Sequence, residues 1–527
     1  MCNTEGGILR LLKCFPSTYK ALLFVLLSVG ISVPIGAVDA PFLVQDFGVN
    51  STQGIESSLV VANDLLFFIA KDAENRTLVW KSDGMAEGTV PLENADGGLV
   101  GPYVSELAAF EHALFFHADE RDGLGSELWR SDGTPAGTYL VKDINPSDDS
   151  DPECLTVVGD TLFFSAEDAE DNKELWKSDG TPEGTVLVKD INPDGESRPR
   201  QLTDAGDTLF FVAEDGQTGR ELWTSNGTEA GTVLVKDINP SGDSMGTELE
   251  AGNGVVFFAA DDGVHGEQLW TSDGTEAGTV MVKEVVDWTG NLPNGPTEFT
   301  FVNDMLFFIA SDGVHGVELW TSDGTEAGTR LVKDIDDRYP VTYFQGNGDP
   351  GYLTNVNGTL YFQAMDGEHG YELWTTDGTE AGTRMVRDIN SSGSSYPGLF
   401  ALVQGTIYFA ASDGVNGREL WTTDGTEEGT VLLFDIDPAP GANSSPGRFV
   451  FSNGLMFFAA LSGDNSNDLW ALNVPPVVEG IALAGPGPIG AQGDFLVTFS
   501  EEVTGVDPGD FVVLTNGPQG AYVSGVS

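Results

Sequence analysis

The chain has 527 residues and a formal net charge of −58, yet 40% of it is hydrophobic, with 31 Phe and 10 Trp. Disordered acidic chains lack the apolar side chains needed for a core, so this composition excludes an acidic tail and calls for a folded interior with the charge outside. A surface of that sign repels nucleic-acid phosphates and anionic lipid heads, which argues against nucleic acid or a membrane surface as a partner.

Residues 1–37 read as a signal peptide. Arg10, Lys13 and Lys20 precede an apolar run from Ala21 to Ile35, and Ala37 is a cleavage point of the small-residue kind. No later stretch is apolar for long enough to span a membrane. The mature chain is therefore expected to be secreted, extracellular or at the cell surface. Cys2 and Cys14 lie in the leader, and Cys154 alone follows it, so no intramolecular disulfide framework is expected.

From residue 41 to 473 one pattern recurs. Nine Trp mark its register: Trp80, Trp129, Trp176, Trp223, Trp270, Trp320, Trp374, Trp421 and Trp470, with spacings of 49, 47, 47, 47, 50, 54, 47 and 49. A fixed period of this size means a repeat architecture. Each unit reads as four short strands. The first ends in a turn such as Asn253-Gly254, whose residues accept the positive φ of a two-residue hairpin. The second is apolar on successive residues, as in Leu306-Phe307-Phe308, and so is expected to be buried on both faces. The third carries Glu-Leu-Trp. A loop of the form Asp-Gly-Thr-x-x-Gly-Thr leads to the fourth, as in Val233-Leu234-Val235-Lys236-Asp237-Ile238.

Four-stranded units buried on both faces predict an all-β, closed β-propeller, with a stacked solenoid as the rival. The ends of the repeat favour closure. Phe42-Leu43-Val44-Gln45-Asp46-Phe47 matches a fourth strand, and the ninth unit stops after its third, at Trp470. Pairing the spare strand with the incomplete unit leaves no open edge. Nine blades is the best count and eight the alternative. After a linker at residues 474–476, residues 477–527 do not repeat. Phe495–Ser500 and Asp510–Leu514 read as strands of a truncated Ig-like, partial β-sandwich domain.

The Glu-Leu-Trp-x-x-Asp-Gly-Thr core, followed by x-x-Gly-Thr-x-Leu-Val-Lys-Asp-Ile, resembles the bacterial ELWxxDGT repeat family, large secreted proteins sometimes called hyalin-like. The tail from Val497 to Asp507 looks like Ig-like modules of bacterial surface proteins. The resemblance covers roughly residues 42–473 and implies export. It implies no enzymatic activity, because the family carries no motif of established chemistry. Met85, Asn226 and Gln268 depart from the pattern in units one, four and five.

Three sets of residues are candidates for chemistry. Asp132, Asp179, Asp273, Asp323, Asp377 and Asp424 offer one loop carboxylate per unit, suited either to calcium or to turn formation; Asn226 at the same place favours the turn. His265, His315 and His369 share a loop position in three consecutive units. Equivalent points on neighbouring blades are on the order of 10 Å apart, too far for one zinc ion. Inserts after units five and six bring Trp288, Tyr339, Tyr343 and Phe344 to the face of those His, an aromatic surface suited to sugar or peptide. Gly242-Asp243-Ser244-Met245-Gly246 fits the G-x-S-x-G pattern, but no helix follows, so it reads as coincidence.

The expected function is a secreted, non-enzymatic binding, adhesion or matrix scaffold for an extracellular glycan or protein, with no cofactor required and calcium as the candidate ion. The alternatives are a polysaccharide-active enzyme on the propeller and a spacer of a larger adhesin. An enzyme would need a carboxylate cluster unique to one or two blades and lining the axis.

Overall fold

The computed structural model describes residues 7–12, 40–48, 54–101, 103–119, 125–170, 172–285, 295–338, 346–463, 466–474, 478–483, 492–499 and 522–526. The chain forms two units. One comprises Phe42–Ser452 and Phe457–Ala471, the other Met1–Pro41, Asn453–Met456 and Leu472–Ser527.

The larger unit is a ring of nine blades among the described residues. Blade 4 is typical: Arg200–Asp204, Leu209–Glu214, Arg220–Ser225 and Val233–Lys236 pair in chain order, all antiparallel. Blades 2 to 8 are each such a sheet. The hairpin between first and second strands turns as expected, with φ of 56° at Asn253 and 76° at Gly254 in blade 5. The second strand is buried on both faces: Leu209, Phe210, Phe211 and Val212 are all at most 4% exposed. First strands of successive blades lie side by side around the whole ring, with Cα atoms within 8 Å. They therefore form the wall of the central channel.

Blades are joined by two repeated contacts. Trp223 packs into a cluster with Phe163, Leu175 and Val188 of blade 3, and each described neighbour pair from blades 1–2 to 7–8 repeats this wedge. The fourth-strand Lys then reaches forward. The ammonium groups of Lys142, Lys189, Lys236, Lys283 and Lys333 donate to the carbonyls of Thr185, Thr232, Thr279, Thr329 and Thr383 in the next blade at 2.7–3.0 Å. Four of these Lys also lie over the next blade's Trp ring at 5.7–6.0 Å.

Closure follows the expected register. Phe42–Gln45 pairs antiparallel with Asn467–Asn473, Phe42 opposite Ala471 and Leu43 opposite Trp470. It completes blade 9 with Gly447–Ser452 and Leu455–Leu461. The Phe47 amide donates to Asp468 Oδ1 at 3.1 Å, and its ring meets Trp80 of blade 1 edge-on at 5.0 Å. A short strand, Gly54–Ile55, bridges the seam, pairing with Asn467 on one side and with Lys71 and Ala70 on the other. Gly54 has φ of 107°, and a Cβ there would fall 2.3 Å from the Asn467 carbonyl oxygen, so only glycine fits. The seam lacks the Lys contact: Gln45, Glu93 and Phe434 stand at the Lys position in blades 9, 1 and 8.

The smaller unit contains a four-stranded antiparallel sheet in the order Val478–Leu483, Gln492–Phe499, Gly7–Leu12, Tyr522–Val526. Its third strand lies within the segment expected to be a leader. The expected strand Asp510–Leu514 lies outside the described residues.

Candidate functional site

The shared loops are built by turn chemistry. Asp323 Oδ1 accepts the amide of Thr325 at 2.9 Å and its hydroxyl at 2.6 Å. Asp132, Asp179, Asp273, Asp377 and Asp424 accept the same pair from Thr134, Thr181, Thr275, Thr379 and Thr426. The Thr hydroxyl holds the carboxyls of Asp179, Asp273, Asp323, Asp377 and Asp424 below the ordinary Asp range. Asn226 accepts both bonds from Thr228 at 3.1 and 2.7 Å, so an amide oxygen does the same work without charge. A Cβ at Gly328 would sit 2.0 Å from Asp323 Oδ1, which accounts for the second Gly of the loop. The closing Thr329 hydroxyl bonds Ser322 Oγ and the Thr325 carbonyl, each at 2.7 Å.

The three His are equally local. His265, His315 and His369 Nδ1 lie 2.7, 2.7 and 2.8 Å from Oδ2 of Asp262, Asp312 and Asp366, three residues earlier. Asn416 and Thr218 bond Asp413 and Asp215 from the same position. Each side chain closes its own loop as a donor. Among the described residues, no group of three or more His, Cys, Asp or Glu is arranged to hold a metal ion. Trp288, Tyr339, Tyr343 and Phe344 lie outside the described residues.

The Glu of Glu-Leu-Trp is a buried tie between the third strand and the loop leaving the fourth. Glu174, fully buried, accepts the Ile191 amide at 2.8 Å and the Ser197 hydroxyl at 2.6 Å on Oε2, and the Ser197 amide at 3.1 Å on Oε1. Glu127, Glu221, Glu318, Glu372 and Glu419 repeat the tie to Ile144, Ile238, Ile335, Ile389 and Ile436. Gln268 takes the Val285 amide in blade 5. Burial pushes the carboxyls of Glu127, Glu221 and Glu372 up to about 7, and that of Glu318 to about 8. Ser244, the serine of the G-x-S-x-G match, is the hydroxyl donor to Glu221 and is 3% exposed. It is the counterpart of Ser150, Ser197, Ser395 and Ser444 and presents no nucleophile.

The channel wall follows a different rule. In blades 2 to 8 the first strand bends at a register shift near its start. The residue there has a left-handed φ of 51–59° at Glu106, Cys154, Gln201, Glu298, Tyr352, Leu399 and Arg448. Glu248 holds the place in blade 5, whose shift spans one more residue. No two of these are alike except the two acids of blades 5 and 6 and Glu106. The next residue, by contrast, is always a large hydrophobe, such as Leu202, Phe299 or Phe400.

Between blades 5 and 8 this variable column opens into a cavity of about 390 Å³, lined by Glu248, Glu298, Phe299, Tyr352, Leu399 and Phe400, among others. Tyr352 and Leu399 are 46% and 40% exposed. A smaller cavity of about 170 Å³ shares Glu298 and reaches Asp349. Glu250 and Glu267 add carboxylates close to Glu248. Burial raises the carboxyls of Glu250, Glu267 and Glu298, and repulsion from Glu248 adds to each. Gly246 and Gly295 make room for Glu267: a Cβ would lie 1.7 Å from Oε1 at the first and 2.4 Å from Oε2 at the second. No residue of this wall was singled out from sequence. The signal was present as one of the columns of the first strand that the copies do not share.

No protein-family model matches the chain, and no curated protein matches its sequence. Among solved structures it is similar to the computationally designed Ika8 protein (14% identity, 70% of this chain and 96% of that one, TM-score 0.38). It is also similar to prolyl endopeptidases (12%, 71% and 55%, TM-score 0.38) and to a puromycin-hydrolysing peptidase of Mycobacterium tuberculosis (13%, 71% and 60%, TM-score 0.33). The chain thus spans less than two thirds of either peptidase. At these scores the likeness says nothing about activity, and the propeller rests on the strand pairing above.

Proposed function

We propose that this protein is an exported, non-enzymatic propeller that binds an extracellular ligand, protein or glycan, on its channel wall between blades 5 and 8. One observation carries the reading: a cavity of about 390 Å³ on the channel wall is lined by side chains that differ from blade to blade. The shared loop Asp and Thr and the shared Glu are bonded within turns and ties, whereas Tyr352 and Leu399 offer exposed apolar surface beside Glu248 and Glu298. Secretion rests on the leader-like residues 1–37, and membership of the ELWxxDGT family on the repeated motif. The loop Asp accept their Thr bonds through Oδ1, so Oδ2 is the atom through which they would hold calcium.

The test is binding to peptide and glycan arrays by the wild type and by Tyr352→Ala. Loss of the wild-type signal with an unchanged melting temperature supports the channel site; equal binding by both proteins rejects it.

A second reading is favoured by the place of Glu248, Glu250, Glu267 and Glu298. Glu248 and Glu298 stand on the channel wall of adjacent blades with Glu250 and Glu267 close to Glu248, a grouping of acids that a polysaccharide-active enzyme requires, and the raised carboxyl of Glu298 suits a general acid. Release of reducing sugar from a polysaccharide panel, abolished in Glu298→Gln, would establish it.

A further inference from the structure

Blade 8 keeps a cation and lacks the acid that pairs with its counterpart in blade 4. Arg220 and Arg418 each open the third strand of their blade. Asp243 serves Arg220 twice. Its Oδ1 accepts the Arg220 amide at 2.9 Å, and its Oδ2 accepts Nε at 2.7 Å and lies 2.7 Å from Nη2. The equivalent of Asp243 in blade 8, one residue before the tie serine Ser444, is Asn443. Asn443 Oδ1 accepts the Arg418 amide at 2.7 Å, so the loop is held in the same way. The other atom of that group is then an NH2, which donates and cannot receive a guanidinium. Blade 6 also has an amide there: Asn347 accepts the Val317 amide at 3.0 Å, and its strand opens without a cation. Blade 8 joins the amide of blade 6 to the arginine of blade 4.

The guanidinium of Arg418 is left over. Among the described residues it forms no ion pair, and its Nε is buried without a hydrogen-bond partner. Burial pulls it below the ordinary Arg range, and the Tyr352 phenol acts against that. A buried charged donor is costly until an acceptor reaches it. Blade 4 shows which acceptor suits the position: a carboxylate oxygen shared by Nε and Nη2.

Tyr352 links Arg418 to the cavity. It lines that cavity, is exposed, and lies against Gly398, where a Cβ would meet two ring carbons at 3.0 Å. Leu399 comes next in the chain and lines the same cavity. The net charge of −58, with Glu248 and Glu298 on this wall, repels a polyanion. A single carboxylate on an apolar body meets both conditions.

We infer that Arg418 binds the carboxylate of a ligand in the place that Asp243 Oδ2 fills beside Arg220, with the ligand's apolar body against Tyr352 and Leu399. The chemistry is that of a polypeptide C-terminus ending in a hydrophobic residue, or of a free aliphatic carboxylic acid. This rests on the channel wall being the ligand site.

The probes are Nα-acetyl-leucyl-leucine, its C-terminal amide, hexanoate and trigalacturonate, titrated calorimetrically into the full chain at about 0.15 M salt. The acetylated dipeptide acid is expected to bind, and its amide about tenfold or more weaker. Hexanoate binding as well would mark a free acid as the source, and dipeptide binding alone a polypeptide end. Arg418→Gln should weaken the dipeptide acid about tenfold or more, and Arg418→Lys less. Asn443→Asp should abolish binding, because it restores the internal carboxylate, and should leave the melting temperature equal or higher. Arg198→Gln, at an exposed ion pair of blade 3, should change nothing. Equal binding of acid and amide, indifference to both Arg418→Gln and Asn443→Asp, or no binding by either monocarboxylate would overturn the inference. So would trigalacturonate binding alone, which would mark an acidic glycan. If Tyr352→Ala still abolishes a signal from the peptide and glycan arrays, the channel site stands without the carboxylate; if it does not, both fail. Circular dichroism melting of each variant confirms that the ring stays folded.

Discussion

The rim loops and the channel wall belong to the same blades and are built on opposite rules. At the rim, the recurring polar side chains find partners a few residues away: Asp323 with Thr325, Thr329 with Ser322, His315 with Asp312. On the channel wall the recurring feature is the bend itself, and the side chain it projects changes from Glu298 to Tyr352 to Leu399 in successive blades. Repetition therefore marks where structure is made. Departure from it marks the wall on which the proposed ligand site lies.

The two rules make opposite predictions. The largest effect is expected from Glu318→Ala. It leaves the buried amides of Ile335 and Gly348 without acceptors and should cost about 3 kcal/mol, a fall of roughly 3 °C in melting temperature by calorimetry, with ligand binding intact. Next is pH. The folded carboxyls of Glu127, Glu221, Glu372 and Glu318 hold their protons up to about 7 to 8, above the ordinary Glu value of 4.5. The folded state binds more protons across that interval, so stability is greatest near its lower end and declines as pH rises toward 8. The rim Asp, held below 3.8, act oppositely and lose their contribution only as pH falls below that. Melting temperature should therefore peak near pH 5, and Glu318→Gln should flatten the decline.

Smaller still is Lys236→Met, which removes the bond to Thr279 and the charge over Trp270; about 1 to 2 kcal/mol is expected in thermal unfolding. At the bottom come Asp323→Asn and His315→Asn. Asn226 and Asn416 already do these jobs, so each should shift stability by less than about 0.5 kcal/mol, with or without a calcium chelator. A large chelator-sensitive loss at Asp323 would restore the metal role of the rim. Tyr352→Ala inverts the whole series, with little change in melting and a loss of binding.

Most of the architecture was legible because packing in a propeller is periodic. Successive apolar residues in Leu306-Phe307-Phe308 announced two-sided burial, and Asn253-Gly254 announced the hairpin. The split ninth unit located the seam to within the residues that pair, Leu43 with Trp470. Asn226 set turn geometry against charge, and its amide oxygen accepts the same two Thr bonds as the loop Asp. The channel site was not legible, for two reasons. Which strand faces the axis is a property of the closed ring, and no local pattern encodes it. The bulge at Glu298 or Tyr352 also carries no composition signal, since left-handed φ there falls on Glu, Tyr, Leu, Arg and Cys alike. The inserts between units stand out as length differences, whereas substitutions within a first strand acquire meaning only once the ring shows which column faces the axis.

The bond from Phe47 to Asp468 joins residues 421 positions apart, and it has a consequence for the order of events at birth. Blades 2 to 8 each contain all their own strands and can form as they are synthesised. The strand at Phe42–Gln45 is made before all of them and has no partner until residues 467–473 emerge. Its wait lasts nearly the whole of synthesis, and the cost of bringing such distant segments together is met late and once. The ring thus has a single clasp, fastened last.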